Sequence, residues 1–168
     1  QSPSSAASDV YKRQGEYSLF MKKYISENFK IGFGQHSGVI DINKDKFELP
    51  RFPINEKYGD LKRFKSLINY NPLEYKNLKP EEKKIIDYEN PPKLEIEFFN
   101  EQKNIENITC YSNDGGNWKK SNLNFQNKTL TINFDEKFLP RRGRINCSLN
   151  DNGKWRWFGT QFTIIKKN

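Results

Sequence analysis

Histidine, cysteine and long apolar stretches are scarce in this sequence. A single histidine, His36, stands among 168 residues, so a metal site that needs two imidazoles cannot be assembled from this polypeptide. Two cysteines, Cys110 and Cys147, allow at most one disulfide. No run approaches the roughly 18 apolar residues that a membrane helix requires, and no membrane-spanning segment is expected. Basic residues outnumber acidic ones by 29 to 21, giving a formal net charge of +8. The lysines are scattered, however, and often neighbour Asp, Glu or Asn. With no stripe of charge and no basic–aromatic motif, the surplus reads as a solvated surface, and nucleic acid is not expected as a partner. Aromatic residues make up 14% of the chain, which is enough to furnish a core despite a mean hydropathy of -0.97.

Residues 1–14, QSPSSAASDVYKRQ, have no apolar period and no signal-peptide core, and are expected to be a non-native or disordered leader. From Glu16 to Asn28, Tyr17, Phe20, Met21, Tyr24 and Ile25 recur at helical spacing, which predicts a helix with that stripe in the core. Phe29 to Phe33 reads as a short buried strand that ends at the turn Gly34-Gln35-His36-Ser37-Gly38. Phe47-Glu48-Leu49 repeats the pattern and stops at Pro50-Arg51-Phe52-Pro53, where the prolines remove amide donors. Two strands with Gly/Pro-punctuated ends suggest an α/β sheet or barrel with His36 and Arg51 facing one cleft. Asp60 caps a second expected helix with Leu61, Phe64, Leu67 and Ile68 inward, and Pro80-Glu81-Glu82 suggests a third, short one to Ile86. Asn90-Pro91-Pro92 reads as a boundary, dividing a domain at 15–90 from another at 91–168.

Beyond the boundary the period changes to two. Leu94, Ile96 and Phe98, then Ile108 and Cys110, then Leu130, Ile132 and Phe134, then Ile145, Cys147 and Leu149 alternate with polar residues. Turn clusters at Asn113–Gly116, Gln126–Lys128, Arg142-Gly143 and Asp151–Gly153 separate them, as in an immunoglobulin-like β-sandwich of six or seven strands. Cys110 and Cys147 share the apolar parity of their strands. A disulfide between the sheets and a pair of buried free thiols both fit that placement. Trp155 and Trp157 fall on one strand face, which is either packed in the core or presented as a sugar platform.

The segments GFGQHSG (32–38) and LPRFPINE (49–56), followed by RINCSLNDNGKWRWFG (144–159), resemble the C-terminal part of bacterial polysaccharide deacetylases of the NodB-homology type, a branch of the carbohydrate esterases. Gly15-Glu16-Tyr17 is similar to the end of that family's Pro-Tyr-Gly segment. The resemblance implies an α+β chain overall: a remnant of a distorted TIM-like α/β barrel followed by the sandwich. It implies a hydrolase that removes N-acetyl groups from a sugar polymer with a divalent, zinc-like metal held by an aspartate and two histidines. Those ligands would belong to a preceding half, so this chain alone is expected to bind no metal and to be inactive. A polysaccharide is then the partner. His36 and Ser37 would sit on the lip of the cleft and Arg51 would grip a polar or anionic group of the substrate, with no residue assigned to catalysis. The alternative is a carbohydrate- or protein-binding sandwich module without catalysis.

Overall fold

The computed structural model describes residues 16–56, 58–100 and 104–165, so the leader expected at 1–14 lies outside the described residues. The strands follow from the alternation. In β4 (Leu94–Glu97), β8 (Thr129–Asn133) and β9 (Arg142–Asp151), every second side chain is buried over most of the strand, while in β5 (Thr109–Asn113) Cys110 and Asn113 are buried. With β7 (Asn122–Gln126), β6 (Lys119–Lys120) and β10 (Lys154–Ile165), these make seven strands among the described residues after residue 90. The tight turn between β7 and β8 carries positive φ at Asn127 and Lys128, and the β9–β10 turn does so at Asn152 and Gly153, as short hairpin turns require.

Three short strands from before residue 90 join them: β1 (Asn71–Pro72), β2 (Asn77–Lys79) and β3 (Lys84–Ile86). The larger sheet runs β1-β10-β9-β5-β6, with β3 also pairing β10, and the smaller runs β2-β4-β8-β7. Pairing thus crosses the Asn90-Pro91 position in both sheets. The inner faces share one core, in which Leu94, Ile96, Leu130, Ile132, Ile145, Leu149 and Phe162 are essentially inaccessible to solvent. Burial of each such side chain contributes about 1.5–3 kcal/mol.

Residues 16–70 lie over the outer face of the larger sheet. Helix α1 (Leu19–Asn28) starts where the Ser18 hydroxyl accepts from the Met21 amide, and α2 (Leu61–Leu67) where the Asp60 carboxylate accepts from the Arg63 amide at 2.8 Å. Between the helices, Phe33 and Leu49 form a single parallel bridge, with the Gly34 amide donating to the Leu49 carbonyl and the Leu49 amide to that of Gly32. Ties to the sheet and the segments that lead into it include Arg142 to Gln35 (3.1 Å), the Leu19 amide to Glu82 just before β3 (3.1 Å) and the Arg141–Glu16 ion pair just before β9 (3.2 Å). The closest approach is at Gly159, where a Cβ would lie 1.8 Å from the Ser37 carbonyl oxygen. Covered on both faces, β10 is buried continuously from Phe158 to Ile164.

The fold is therefore α+β, mostly sheet with two helices, and no closed barrel is present among the described residues. Several expectations need correction. The stripe on α1 does not enter a core: Phe20 is 81% exposed, Tyr24 and Met21 are exposed, and of that set only Tyr17, which precedes the helix, is buried. On α2, Leu61, Phe64 and Ile68 are likewise exposed and Leu67 is half-buried. Phe29–Phe33 is not a strand beyond the one bridge, and Ile31 is exposed. The short helix expected from Pro80 is replaced by β3, because Lys84–Ile86 pairs in parallel with Thr163–Ile165 and sends Ile85 into the core, so tertiary pairing outweighs local propensity. Arg142-Gly143 is no turn but the start of β9, where the Phe138 ring lies 2.4 Å from the position of a Cβ on Gly143.

The cysteines form a disulfide, but it joins two neighbouring strands of one sheet and does not bridge the sheets. Cys110 and Cys147 are direct partners in the β5–β9 ladder, with Cα atoms 4.1 Å apart. The shared parity was correct in sending both side chains into one core, but their strands are neighbours in one ladder. The tryptophan face is not the sandwich core either. The β9–β10 register runs without a skipped residue from Lys154 to Thr163 and turns Phe158 inward, so Trp155 and Trp157 lie on the outer face. Arg156 is held at the edge by Glu74 (3.2 Å) and Asp151 (3.3 Å).

Candidate functional site

Two concavities open where residues 16–70 meet the larger sheet, and His36 and Trp157 contribute to both. The broader is a cleft of about 1110 Å³. One wall comes from Gln35–Ser37, Arg51–Asn55, Tyr58 and the α2 region through Arg63, Ser66, Leu67 and Tyr70. The other is the outer face of the sheet. Tyr111 pairs with Asn146, which pairs with Gly159, and Arg144 and Trp157 lie two residues along on the same face, as strand alternation dictates. Trp118, in the β5–β6 connection, completes that wall and is exposed.

The three residues singled out from the sequence, His36, Ser37 and Arg51, all line this cleft. The Arg51 amide donates to the His36 carbonyl at 3.1 Å, which fixes the two loops side by side. His36 is buried, and burial, followed by the positive charge of Lys83, pushes its imidazole down to about 4. It is therefore neutral at ordinary pH, a polar contact and not a proton donor of useful strength. Its Nδ1 finds no hydrogen-bond partner, and a Cβ on Gly34 would come within 2.6 Å of it. Ser37 is half-buried, and Arg51 is exposed.

Aromatic rings line the cleft beside them. Tyr70 and Trp157 stack in parallel, with centroids 5.9 Å apart and planes within 4°, and Phe52 packs edge-on against Trp157 at 5.6 Å. The Trp157 indole N–H is buried without a hydrogen-bond partner. Arg63 lies over the Tyr58 ring at 5.5 Å. Burial, and then the like charge of Arg142, push the Arg144 guanidinium down, with Tyr58 acting in the opposite sense. The Arg144 Nε is buried and unpaired. Among the described residues, Arg51, Arg63 and Arg144 make no ion pair, and none that lines the cleft is acidic.

The smaller cavity, about 220 Å³, is built differently. Lys22 pairs with Asp45 (3.0 Å) and Glu48 (3.4 Å), and the Tyr17 hydroxyl donates to Glu48 at 2.9 Å. Burial opposes the charge on Lys22, but Glu48 and Asp45 outweigh it and hold the ammonium above its ordinary value. Lys83 is buried, donates to the Pro80 carbonyl at 2.7 Å and lies 5.6 Å from the Phe162 ring centroid. Desolvation pulls it down to about 8 against the raising effect of Glu48.

Neither cavity fits a divalent metal. The cleft offers one imidazole and no carboxylate, Asp45 and Glu48 of the smaller cavity are engaged by Lys22, and among the described residues no three His, Cys, Asp or Glu side chains converge. Sequence reasoning missed Tyr58, Arg63, Tyr70, Trp118, Arg144 and Lys83. Only Arg144 had a readable signal: with Ile145, Cys147 and Leu149 inward, Arg144 and Asn146 must point outward. No protein-family model, curated protein or solved structure matches the chain.

Proposed function

We propose that this chain is the saccharide-holding C-terminal part of a polysaccharide deacetylase of the NodB-homology type. On this reading residues 16–70 continue the barrel, and the immunoglobulin-like sheets trail it. The metal, aspartate and paired histidines that activate water would come from the preceding half, and this chain's own residues bind and orient the polymer. One observation carries the reading: His36, Ser37 and Arg51, the residues that bear the family resemblance, line one concave surface with the stacked aromatic pair Tyr70 and Trp157. Flat aromatic rings with a few convergent polar groups are what a sugar ring needs for stacking and orientation. A neutral imidazole and unpaired guanidinium groups supply hydrogen-bond donors without a nucleophile or base beside them.

Calorimetry with N-acetylated chito-hexaose tests the reading. Binding is expected, with at least a tenfold loss in Trp157→Ala at an unchanged circular-dichroism spectrum. Turnover of the same oligosaccharide by this chain with added zinc would contradict the division of labour. The alternative, a free-standing binding module at 91–168, predicts binding that survives deletion of residues 1–90. That deletion removes β1–β3 and one entire wall of the cleft, so binding is expected to be lost.

A further inference from the structure

We propose that the cleft selects an anionic saccharide, a sugar chain bearing carboxylate or sulfate groups, over a neutral one. This rests on the saccharide-holding reading and names the class of ligand. The chain carries 21 acidic residues, and the smaller cavity, which shares His36 and Trp157 with the cleft, is fully stocked with them. The cleft has none among the described residues. Three guanidinium groups, on Arg51, Arg63 and Arg144, face it without a carboxylate partner.

An unpaired guanidinium in open solvent needs no explanation. Arg144 is a different case, because it is half-buried, its Nε is out of contact with any acceptor, and Arg142 adds like charge nearby. Leaving such a donor unsatisfied is costly, and a bound oxyanion removes the cost. Arg63 reaches the same region across the Tyr58 ring. Planar guanidinium groups match carboxylate and sulfate oxygens in a two-pronged geometry that a neutral hydroxyl cannot reproduce. The exposed indole of Trp118 and the ring of Tyr111 lie on the sheet side of the cleft and offer flat surface to a pyranose carrying the charge. The positive groups are gathered in a concavity and not along a groove that tracks a phosphate backbone, which favours a saccharide over a nucleic acid.

The test is calorimetry on the whole chain in about 0.1 M salt, where surface attraction is largely screened. Four probes are compared: a galacturonate hexamer, a chondroitin sulfate hexasaccharide, N-acetylated chito-hexaose and a thymidine oligonucleotide. The expected result is that at least one anionic hexasaccharide binds tenfold or more tightly than chito-hexaose. The galacturonate and sulfate arms distinguish the two anions. Arg144→Gln and Arg63→Gln each lower the anionic affinity at least fivefold and that for chito-hexaose, to which the new amide can still donate, by less than twofold, whereas Lys137→Gln, away from the cleft, changes neither. Arg144→Lys, which keeps charge and fold, recovers part of the loss and guards against a variant that fails to fold. Equal binding of anionic and neutral hexamers overturns this proposal and leaves the saccharide reading standing. Binding of no saccharide overturns both. Tighter binding of the oligonucleotide than of any saccharide overturns both in favour of a nucleic-acid groove.

Discussion

The two cavities share a buried histidine and a tryptophan, yet they treat charge in opposite ways. In the smaller one, Lys22, Asp45, Glu48 and Tyr17 satisfy one another, and the network ties residues 17–48 together. In the cleft, Arg51, Arg63 and Arg144 are left without counter-charge. A neutralised cluster is structural, since its members are already occupied. A cluster kept unneutralised within one shared boundary holds its hydrogen-bonding capacity in reserve for something that arrives from outside. Net charge and composition cannot make this distinction, because both cavities contribute cations to the same total.

That contrast can be broken in four ways. The largest effect is expected at the ridge between the cavities. In Gly159→Val the new side chain meets the Ser37 backbone carbonyl, which has no room to yield, so a loss of about 3 kcal/mol or more is expected, with both cavities opening together. A thermal melt within a few degrees of the parent would show that the walls are not seated as described.

Next is the pH dependence of His36. The unfolded imidazole takes a proton near 6.5 and the folded one only near 4, so stability is fully present above 6.5 and falls as the pH drops towards 4, by about 3 kcal/mol in all. Lys83 is the charge that faces it, and it reinforces the effect. Urea midpoints at pH 7.5 and 4.5 should separate for the parent and converge in His36→Gln.

Glu48→Gln probes the neutralised cavity directly. It removes the charge that faces Lys22, although the amide oxygen can still accept from Tyr17, and a loss of about 1–2 kcal/mol is expected, with ligand binding in the cleft unchanged. The smallest effect on stability is expected from Arg144→Gln, no loss and a gain of up to about 1 kcal/mol, since no ion pair is lost and a buried unpaired donor is removed. If denaturant titration finds the two substitutions equally costly, the distinction between an occupied and a waiting cluster fails.

The sheets were legible because strand alternation is a local signal. Leu94 and Ile96, Leu130 and Ile132, and Ile145, Cys147 and Leu149 all point inward as their parity requires. His36 and Arg51 do line one cleft, but not by the expected route: their loops follow no strands of an α/β sheet or barrel, and a single Phe33–Leu49 bridge with the Arg51 amide on the His36 carbonyl holds them side by side. Non-local information was not legible. The stripe from Phe20 to Tyr24 is a true helical period, but a period states which residues share a face and not whether anything covers it. Lys84–Ile86 forms a strand only because β10 lies beside it. The same limit hid most of the cleft: Arg63, Tyr70, Trp118 and Arg144 converge from four separate places in the chain, and nothing in their own neighbourhoods announces the meeting.

The sulfur bridge has a practical consequence. Both sulfurs belong to residues with 0% and 1% exposure, on the inner side of the strand pair whose outer side carries Tyr111 and Asn146. After reduction, an alkylating reagent in solution could reach neither thiol until the two layers part. Labelling kinetics would then time the breathing of the interior and not the reactivity of cysteine, giving a clock for how often the platform under the aromatic rings comes apart.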